Sequence, residues 1–329
     1  MSVQQPLLWV LGNLTIDDVV MPDGTTTMGL CGGNAIYASL GARLWEERVG
    51  LAARIGPDFP SEHLPTLREA GVELALTEVP EPSIHNWALY ENAGARRFIN
   101  WVDSGTNLDQ SIRPEELPVT IEAARACHVA PMPLGVQGAL VRSLMASRLA
   151  IIALDPHEDY IMGHTEEVLG LLPLLTIFLP SRREAEALFG RDDPEAAAAA
   201  FADAGPAAVA IKLGDDGSIV CVAGQPLRHV PCIPVQTVDP TGCGDAYCGG
   251  FVAAYRNGAD AVTAACHGTV SASFTAETRG ALGMLPLDTM EARRRLDQLH
   301  AAVSESEPPV GPETTDAPAH NRGSTYAHG

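Results

Sequence analysis

Residues 239–245 (DPTGCGD) combine a carboxylate with the small residues of a tight turn. The glycines leave backbone N–H groups able to point at an anion, and the helix predicted directly after them adds a partial positive charge at its N-terminus. Asp245 would lie in the first turn of that helix. An acid beside an anion hole suits phosphoryl transfer, because it accepts the proton of the attacking hydroxyl group while the amides stabilise the moving phosphoryl group. The alternative is a helix N-cap with a glycine turn, in which Asp245 only stabilises the helix dipole.

The run extends to residue 250, and DPTGCGDAYCGG resembles the C-terminal signature of the ribokinase-like (PfkB) carbohydrate kinases, D-T-x-G-A-G-D-x-F-x-G-G. The resemblance implies that Asp245 is the general base. The anion hole of the family corresponds here to the amides of three small residues, Gly242, Cys243 and Gly244. The resemblance also implies that Thr241 lies on the nucleotide side and that Asp239 lies near a monovalent cation.

Two segments near the N-terminus resemble the acceptor side of the same family. Residues 12–17 (GNLTID) are similar to its first strand, whose terminal Asp binds sugar hydroxyls. Asp17 would take that role, because a carboxylate can accept two adjacent O–H donors, and Asp18 would take it if the register is misplaced. The glycine pair of the family, which approaches the acceptor, corresponds here to Gly32, Gly33 and Asn34. The alternatives are a solvated loop acid at Asp17 and plain helix–strand packing at the glycines.

Residues 212–217 (KLGDDG) follow a predicted strand and look like the nucleotide loop of the family, K/T-x-G-x-x-G. The resemblance implies that Lys212, the only lysine in the chain, faces the nucleotide phosphates, with Gly214 and Gly217 shaping the loop. The alternative is a hairpin turn with an incidental lysine.

Residues 180–184 (PSRRE) resemble the N-x-x-E motif of the family, whose Glu orients magnesium-bound water. Glu184 is in place, whereas Ser181 stands where Asn is usual. The alternative is a capping box between Ser181 and Glu184, and both roles are compatible. The resemblance implies ATP and Mg²⁺ as cofactors, with K⁺ as a further candidate.

Apolar strand-like runs alternate with helical segments along most of the chain, which predicts a mostly parallel sheet covered by helices on both faces. In such α/β sheets the ligand lies beyond the carboxyl ends of the strands. The family resemblance implies a three-layer αβα sandwich over residues 1–303. A small β-sheet lid is expected from about residues 14–30 and 84–103, covering the sugar and mediating a homodimer. The tail, residues 304–329, is rich in Pro, Glu, Ser and Thr and is predicted to be disordered.

Composition excludes several classes of function. The formal net charge is −20, so binding to nucleic acid or to anionic lipid is not expected. Apolar runs long enough for a membrane span are missing from the sequence. The seven cysteines include no C-x-x-C pair, which indicates a reduced, cytosolic protein without a disulfide framework.

These observations predict an ATP-dependent kinase that phosphorylates a hydroxyl group of a small sugar, polyol or nucleoside. One rival is a catalytically weak binding or regulatory protein on the same fold, because Tyr37, Cys243 and Ser181 all depart from the family pattern; Tyr37 replaces an Asn on the sugar side. A second rival is another α/β enzyme, a dehydrogenase or a nucleotide-dependent ligase. The first strand is not followed by G-x-G-x-x-G, and a ligase would need a second lysine, so both observations favour the kinase.

Overall fold

The computed structural model describes residues 5–91, 96–147 and 149–305. Within these ranges, nine strands form a large sheet in the order β13-β12-β11-β10-β9-β8-β1-β4-β5. Neighbours from β5 to β11 are parallel, and β12 and β13 are added antiparallel at one edge. These strands are β1 (Leu8–Leu11), β4 (Val49–Ile55), β5 (Val72–Glu78), β8 (Ala126–Val129), β9 (Ile151–Leu154), β10 (Ile177–Phe178), β11 (Ala208–Lys212), β12 (Ser218–Cys221) and β13 (Arg228–Val230).

Strand β1 shows why the sheet is covered on both faces. Its four residues are fully buried, and successive side chains of a strand point to opposite faces. Leu8 and Val10 join one hydrophobic cluster, whereas Trp9 and Leu11 join another. The alternation therefore gives the three-layer αβα arrangement that the sequence predicts.

Helices supply the two outer layers. The first cluster packs under α1, α9, α10 and α11, and the second under α4, α7 and α8. The α-helices in the described part of the chain are α1 (Asn34–Arg43), α2 (His63–Glu69), α3 (Asn107–Gln110), α4 (Leu134–Ala146), α5 (Glu158–Ile161), α6 (Thr165–Leu169), α7 (Arg182–Phe189), α8 (Pro194–Asp203), α9 (Cys243–Arg256), α10 (Ala261–Ala276) and α11 (Thr289–Glu305). Across the described ranges, we find no helix with the length and apolar character needed to cross a membrane.

A second sheet of four strands, in the order β3-β2-β6-β7, forms the predicted lid. Its strands are β2 (Thr15–Val20), β3 (Thr26–Gly32), β6 (Ile84–Tyr90) and β7 (Arg96–Asn100). β2 and β6 are parallel, and the two outer pairs are antiparallel. The four strands correspond to the segments expected for the lid, whose covering role stays a prediction; the turn between β6 and β7, residues 92–95, lies outside the described residues.

Close contact between α1 and α9 sets the position of α9, the helix that begins within the signature of residues 239–250. A Cβ atom on Gly249 would lie 1.9 Å from the Ala38 carbonyl oxygen, and one on Gly41 would lie 2.3 Å from the Ala246 carbonyl oxygen. Both positions require glycine because backbone meets backbone there. The first half of α9 is thereby held against the middle and C-terminal half of α1.

The sequence pattern does not predict β5, α11 or the short helices α3 and α5. β5 is an edge strand whose residues are mostly half-buried, so its apolar pattern is weak. α11 packs on α10 and reaches Glu305, past the expected start of the tail at residue 304. The rest of the tail, residues 306–329, lies outside the described residues.

Candidate active site

The N-terminus of α9 begins after Gly242, whose φ of 78° places it in the left-handed region that favours glycine. The turn is closed by a 3.3 Å bond from the Cys243 N–H to the Pro240 carbonyl oxygen. Gly244 is exposed, and Asp245 lies half-buried in the first turn. The predicted base and the predicted anion hole are therefore adjacent, on a helix of 14 residues whose dipole favours an anion.

Tyr37 lies directly against this turn. A Cβ atom on Gly242 would lie 2.2 Å from Cγ of the Tyr37 ring, and Tyr37 is only 3% exposed. Burial raises the pKa of the Tyr37 phenol well above its ordinary value, and the carboxylates of Asp17, Asp239 and Asp245 raise it further. We call these three acids the carboxylate cluster. The ring that replaces the usual Asn therefore lies among three of the four predicted functional acids.

The contact between Gly242 and Tyr37 gives a prediction. Gly242→Ala is expected to lower kcat by about 10²-fold, the range for loss of one oxyanion-hole donor, because the methyl group displaces the turn from the ring. Gly224→Ala is the matched control, since Gly224 has a similar φ of 75° but open space around its Cβ position. Steady-state ADP release measures both variants, and equal effects in the two would contradict the prediction.

Asp17 lies on β2 with its carboxylate over Gly32. A Cβ atom on Gly32 would lie 1.9 Å from Asp17 Oδ2, and the Asn86 amide donates to Asp17 Oδ1 at 3.3 Å. Burial raises the pKa of Asp17 to about 6, and hydrogen bonds from Thr15 and Asn86 act in the opposite direction. This carboxylate is therefore ionised at neutral pH but protonates within an accessible range.

Asp18 points away from the side of Gly32, and both of its carboxylate oxygens already have hydrogen-bond partners. Its two carboxylate oxygens are 2.7 Å from the Gly29 N–H and 2.8 Å from His85 Nε2. The ring of Trp101 stacks on His85 with centroids 4.3 Å apart. Asp17, not Asp18, thus lies beside the glycine pair.

Gly33 and Asn34 shape the backbone at the start of α1. Gly33 has φ of 102°, and a Cβ atom there would lie 2.3 Å from the Asn13 carbonyl oxygen. The Asn34 amide accepts from the Asn13 N–H at 2.9 Å and donates to the Pro131 carbonyl oxygen at 2.7 Å. The Asn34 side chain thus joins two loops at the carboxyl edge of the large sheet.

Lys212 ends β11 and lies beside the turn of α9. Its side-chain atoms are 3.8 to 3.9 Å from the Cβ position of Gly244. Its Nζ donates to Asp155 Oδ2 at 2.6 Å and lies 3.4 Å from Cys248 Sγ. Burial alone lowers the pKa of Lys212, but the Asp155 carboxylate and its other neighbours outweigh burial and raise it. The ammonium group therefore stays charged beside the predicted anion hole.

Asp155 is the neighbour of Lys212 that the sequence motifs do not identify. It follows β9, is 3% exposed, and lies 57 positions from Lys212 in the chain. Burial raises its pKa to about 7, and Lys212 acts against that rise. An acid directly after a parallel strand was the available signal, since such strands end at the ligand-binding edge.

The nucleotide loop is a tight turn between β11 and β12. Gly214 and Gly217 have φ of 66° and 84°, and the Leu213 N–H donates to the Gly217 carbonyl oxygen at 2.8 Å. A Cβ atom on Gly217 would lie 2.1 Å from the Val230 carbonyl oxygen, whereas nothing lies within 4 Å of the Cβ position of Gly214. Close backbone contact thus fixes the loop at Gly217, whereas Gly214, near Lys212, has open space around its Cβ position.

Glu184 forms the predicted capping box at the start of α7. It accepts from the Ser181 N–H at 2.6 Å and donates its own N–H to Ser181 Oγ at 3.4 Å. Glu184 and Asp245 both raise the pKa of Asp155, so the three acids are electrostatic neighbours. Among the described residues, no three His, Cys, Asp or Glu side chains converge into a metal cage. A single carboxylate such as Glu184 can orient water on a magnesium ion that is itself held chiefly by phosphates and water.

Asp239 is 4% exposed. Its carboxylate accepts hydrogen bonds from one residue of the same motif and from one residue of the lid. Its Oδ1 accepts from the Thr241 N–H at 2.8 Å and from the Tyr90 phenol, a short hydrogen bond. The Tyr90 oxygen is also 2.6 Å from Thr241 Oγ1. Carboxylate oxygens suit hard cations, so the chemistry of Asp239 fits the predicted cation role, and Thr241, on the predicted nucleotide side, lies beside it.

Residues from both sheets therefore converge on one region. It contains three buried or half-buried acids, an open helix N-terminus and one charged lysine. Such a region can bind hydroxyl groups, remove a proton and stabilise a phosphoryl group. The members are Asp17, Tyr37, Asp239, Gly242, Gly244, Asp245 and Lys212.

Residues 14–288 match the model of the pfkB family carbohydrate kinases. Among curated proteins, the chain is 30% identical over 256 residues to a cytidine kinase of Thermococcus kodakarensis, covering 76% of this chain and 89% of that protein. It is 28% identical over 300 residues to a nucleoside kinase of Methanothermobacter thermautotrophicus, covering 85% and 90%.

Solved structures show the same fold. A ribokinase-type protein from E. coli, in complex with ATP and Mg²⁺, superposes with a TM-score of 0.74 at 21% identity. The match covers 89% of this chain and 99% of the E. coli protein. At this identity the likeness is one of fold.

Proposed function

This chain belongs to the pfkB family of carbohydrate kinases, and from that premise we propose that it transfers the γ-phosphoryl group of ATP to a hydroxyl group of a nucleoside. The observation that carries the proposal is the carboxylate cluster around Tyr37, with the N-terminus of α9 and Lys212 beside it. The nucleoside is favoured over a free sugar because the two curated relatives described above are a cytidine kinase and a nucleoside kinase.

In the proposed reaction, Asp17 accepts hydroxyl groups of the acceptor, together with the Asn86 amide that already contacts it. Asp245 accepts the proton of the attacking hydroxyl group, which is a primary one. The amides of residues 242–244 stabilise the charge on the transferred group, and Lys212 adds a fixed positive charge. The O–P bond to the acceptor forms as the bond to ADP breaks.

Glu184 is the residue that we assign to magnesium-bound water, with the Mg²⁺ ion itself carried on the nucleotide phosphates. When bound, Mg²⁺ neutralises phosphate charge. We assign Asp239 to a monovalent cation and Thr241 to the nucleotide side of the site. The lid would cover the acceptor and exclude water, which limits hydrolysis of ATP.

The test is ADP release with Mg–ATP across nucleosides, pentoses, polyols and hexose derivatives, run in potassium and in sodium buffers. We expect turnover with a nucleoside, and mass spectrometry of the product should show one added phosphate. Turnover with a free sugar alone would correct the acceptor class. ATP binding without turnover on any acceptor would favour a binding protein on the same fold and overturn the kinase proposal.

The raised pKa of Asp17 predicts a pH effect on acceptor binding. The ionised carboxylate accepts hydroxyl groups, and its pKa lies at about 6 because of burial, so protonation begins as the pH falls towards that value. We expect the acceptor Kd to rise below pH 6, approaching about tenfold per pH unit for a single group. Binding is measured by tryptophan fluorescence without nucleotide, so that titration of the ATP phosphates does not contribute. Asp17→Asn should bind weakly with a flat profile; an unchanged profile in that variant would remove Asp17 from the role.

The outer face of the lid is the surface that we propose for self-association. Trp87, Ile99 and Trp101 share the face opposite Asn86, because Trp87 pairs with Ile99 and its ring stacks on Trp101. Ile99 is 50% exposed and Trp101 is 37% exposed, an apolar surface of the kind found at interfaces. Light scattering should give the mass of two chains, and Ile99→Glu should give that of one. A monomeric parent protein would overturn the dimer.

A further inference from the structure

Tyr90 is the last residue of lid strand β6, and its phenol bonds to the motif that precedes α9 in the large domain. Its phenol donates to Asp239 Oδ1, and its oxygen is 2.6 Å from Thr241 Oγ1. Asp239 Oδ1 also accepts from the Thr241 N–H. Tyr90, Asp239 and Thr241 thus form one hydrogen-bonded network, in the motif that leads directly into the turn of Gly242.

The same strand also reaches the acceptor carboxylate. Side chains on one face of a strand recur every second residue, so Asn86, Ala88 and Tyr90 share a face of β6. Asn86 donates to Asp17 at one end of this face, and Tyr90 bonds Asp239 at the other. The residue between them, Ala88, is 2% exposed, and β6 is hydrogen-bonded to β2 on one side and to β7 on the other. One strand of the lid sheet therefore connects the acceptor carboxylate to the anion-hole motif.

From this geometry we propose that Tyr90 is a positioning residue that couples lid closure over the acceptor to the arrangement of the anion hole, through its bonds to Asp239 and Thr241. The inference rests on the proposed function. Tyr90 touches neither of the reacting atoms and acts through Asp239 and Thr241. Coupling of this kind is reciprocal, so nucleotide at the anion hole tightens the lid, and a closed lid favours nucleotide.

The first test uses hydrogen exchange at the backbone amides of β6, with the non-hydrolysable nucleotide AMP-PNP and Mg²⁺ as the probe. In the parent protein we expect AMP-PNP to slow exchange in β6. In Tyr90→Phe, which keeps the ring, this protection should fall by about tenfold, within the usual range of coupling between sites. Tyr255→Phe removes a hydroxyl group from α9 instead and is the matched control, expected to behave as the parent.

The second test uses cytidine as the acceptor probe and compares its Kd with and without AMP-PNP. The parent should bind cytidine more tightly when AMP-PNP is present, whereas Tyr90→Phe should show nearly the same Kd in both states. A merely structural role would weaken both states alike and leave their ratio unchanged. Thermal unfolding checks that Tyr90→Phe remains folded.

The outcomes separate this inference from the proposed function. Parent-like protection and an unchanged Kd ratio in Tyr90→Phe would overturn the coupling role while leaving the kinase intact. Failure of the parent protein to bind AMP-PNP would overturn the kinase proposal and the inference together. Nucleotide binding that leaves β6 exchange unchanged in the parent would overturn the inference alone.

Discussion

Replacing Asp245 with Asn is expected to lower kcat by about 10² to 10⁴-fold, the usual contribution of a general base. The amide cannot accept the proton of the attacking hydroxyl group, whereas the shape of the first turn of α9 is unchanged. The affinity for ATP should stay close to that of the parent, because the amides of residues 242–244 and Lys212 remain. Single-turnover phosphoryl transfer and nucleotide titration measure the two quantities separately.

Asp297→Asn is the matched control for Asp245→Asn. Asp297 is an exposed carboxylate on α11, so the same loss of one negative charge should leave kcat and ATP affinity unchanged. If Asp245→Asn retains full turnover, Asp245 is not the base. A loss of ATP binding instead of turnover would show that it acts on the nucleotide.

Replacing Lys212 with Met should damage both stability and activity. The Asp155–Lys212 pair is buried, with side chains 4% and 13% exposed and an N–O distance of 2.6 Å. Removing one partner of a buried pair leaves an uncompensated carboxylate, which costs about 3 to 5 kcal/mol of unfolding free energy. The charge beside Gly244 is lost as well, so kcat should fall in the same variant. Urea unfolding and ADP release measure the two effects.

A double variant separates these effects. Asp155→Asn combined with Lys212→Met removes both charges, so most of the lost stability should return, because burying two neutral groups avoids the unpaired carboxylate. Activity should stay low, since the positive charge is still missing. Recovery of activity together with stability would mean that Lys212 has only a structural role.

The exposed pair Arg294–Glu291 provides the comparison for Lys212→Met. Its side chains are 57% and 28% exposed, although its N–O distance is also 2.6 Å. Arg294→Met should therefore cost less than about 1 kcal/mol, because solvent screens the pair. Similar losses in Lys212→Met and Arg294→Met would contradict the buried-pair argument.

The local conformation of the motifs could be predicted from the sequence. The turn of residues 239–245, the loop of residues 212–217 and the capping box of Ser181 and Glu184 are each made by neighbours in the chain. Their conformations depend on residue types a few positions apart, such as glycine where φ is positive. The alternation of apolar strands with helices likewise predicted the two-sided parallel sheet, because each strand must bury both faces.

The pairing of distant side chains was decided only by the tertiary structure. Asp155 bonds Lys212 across 57 positions, and Tyr90 bonds Asp239 across 149. Neither partner carries a local signal of the other, because the contacts depend on strand order and on where the lid meets the large sheet. The same holds for Tyr37, which the sequence identifies as a departure from the family pattern. Its position against Gly242, among three carboxylates, follows from the glycine contacts between α1 and α9, and such close backbone approach exists only in the folded chain.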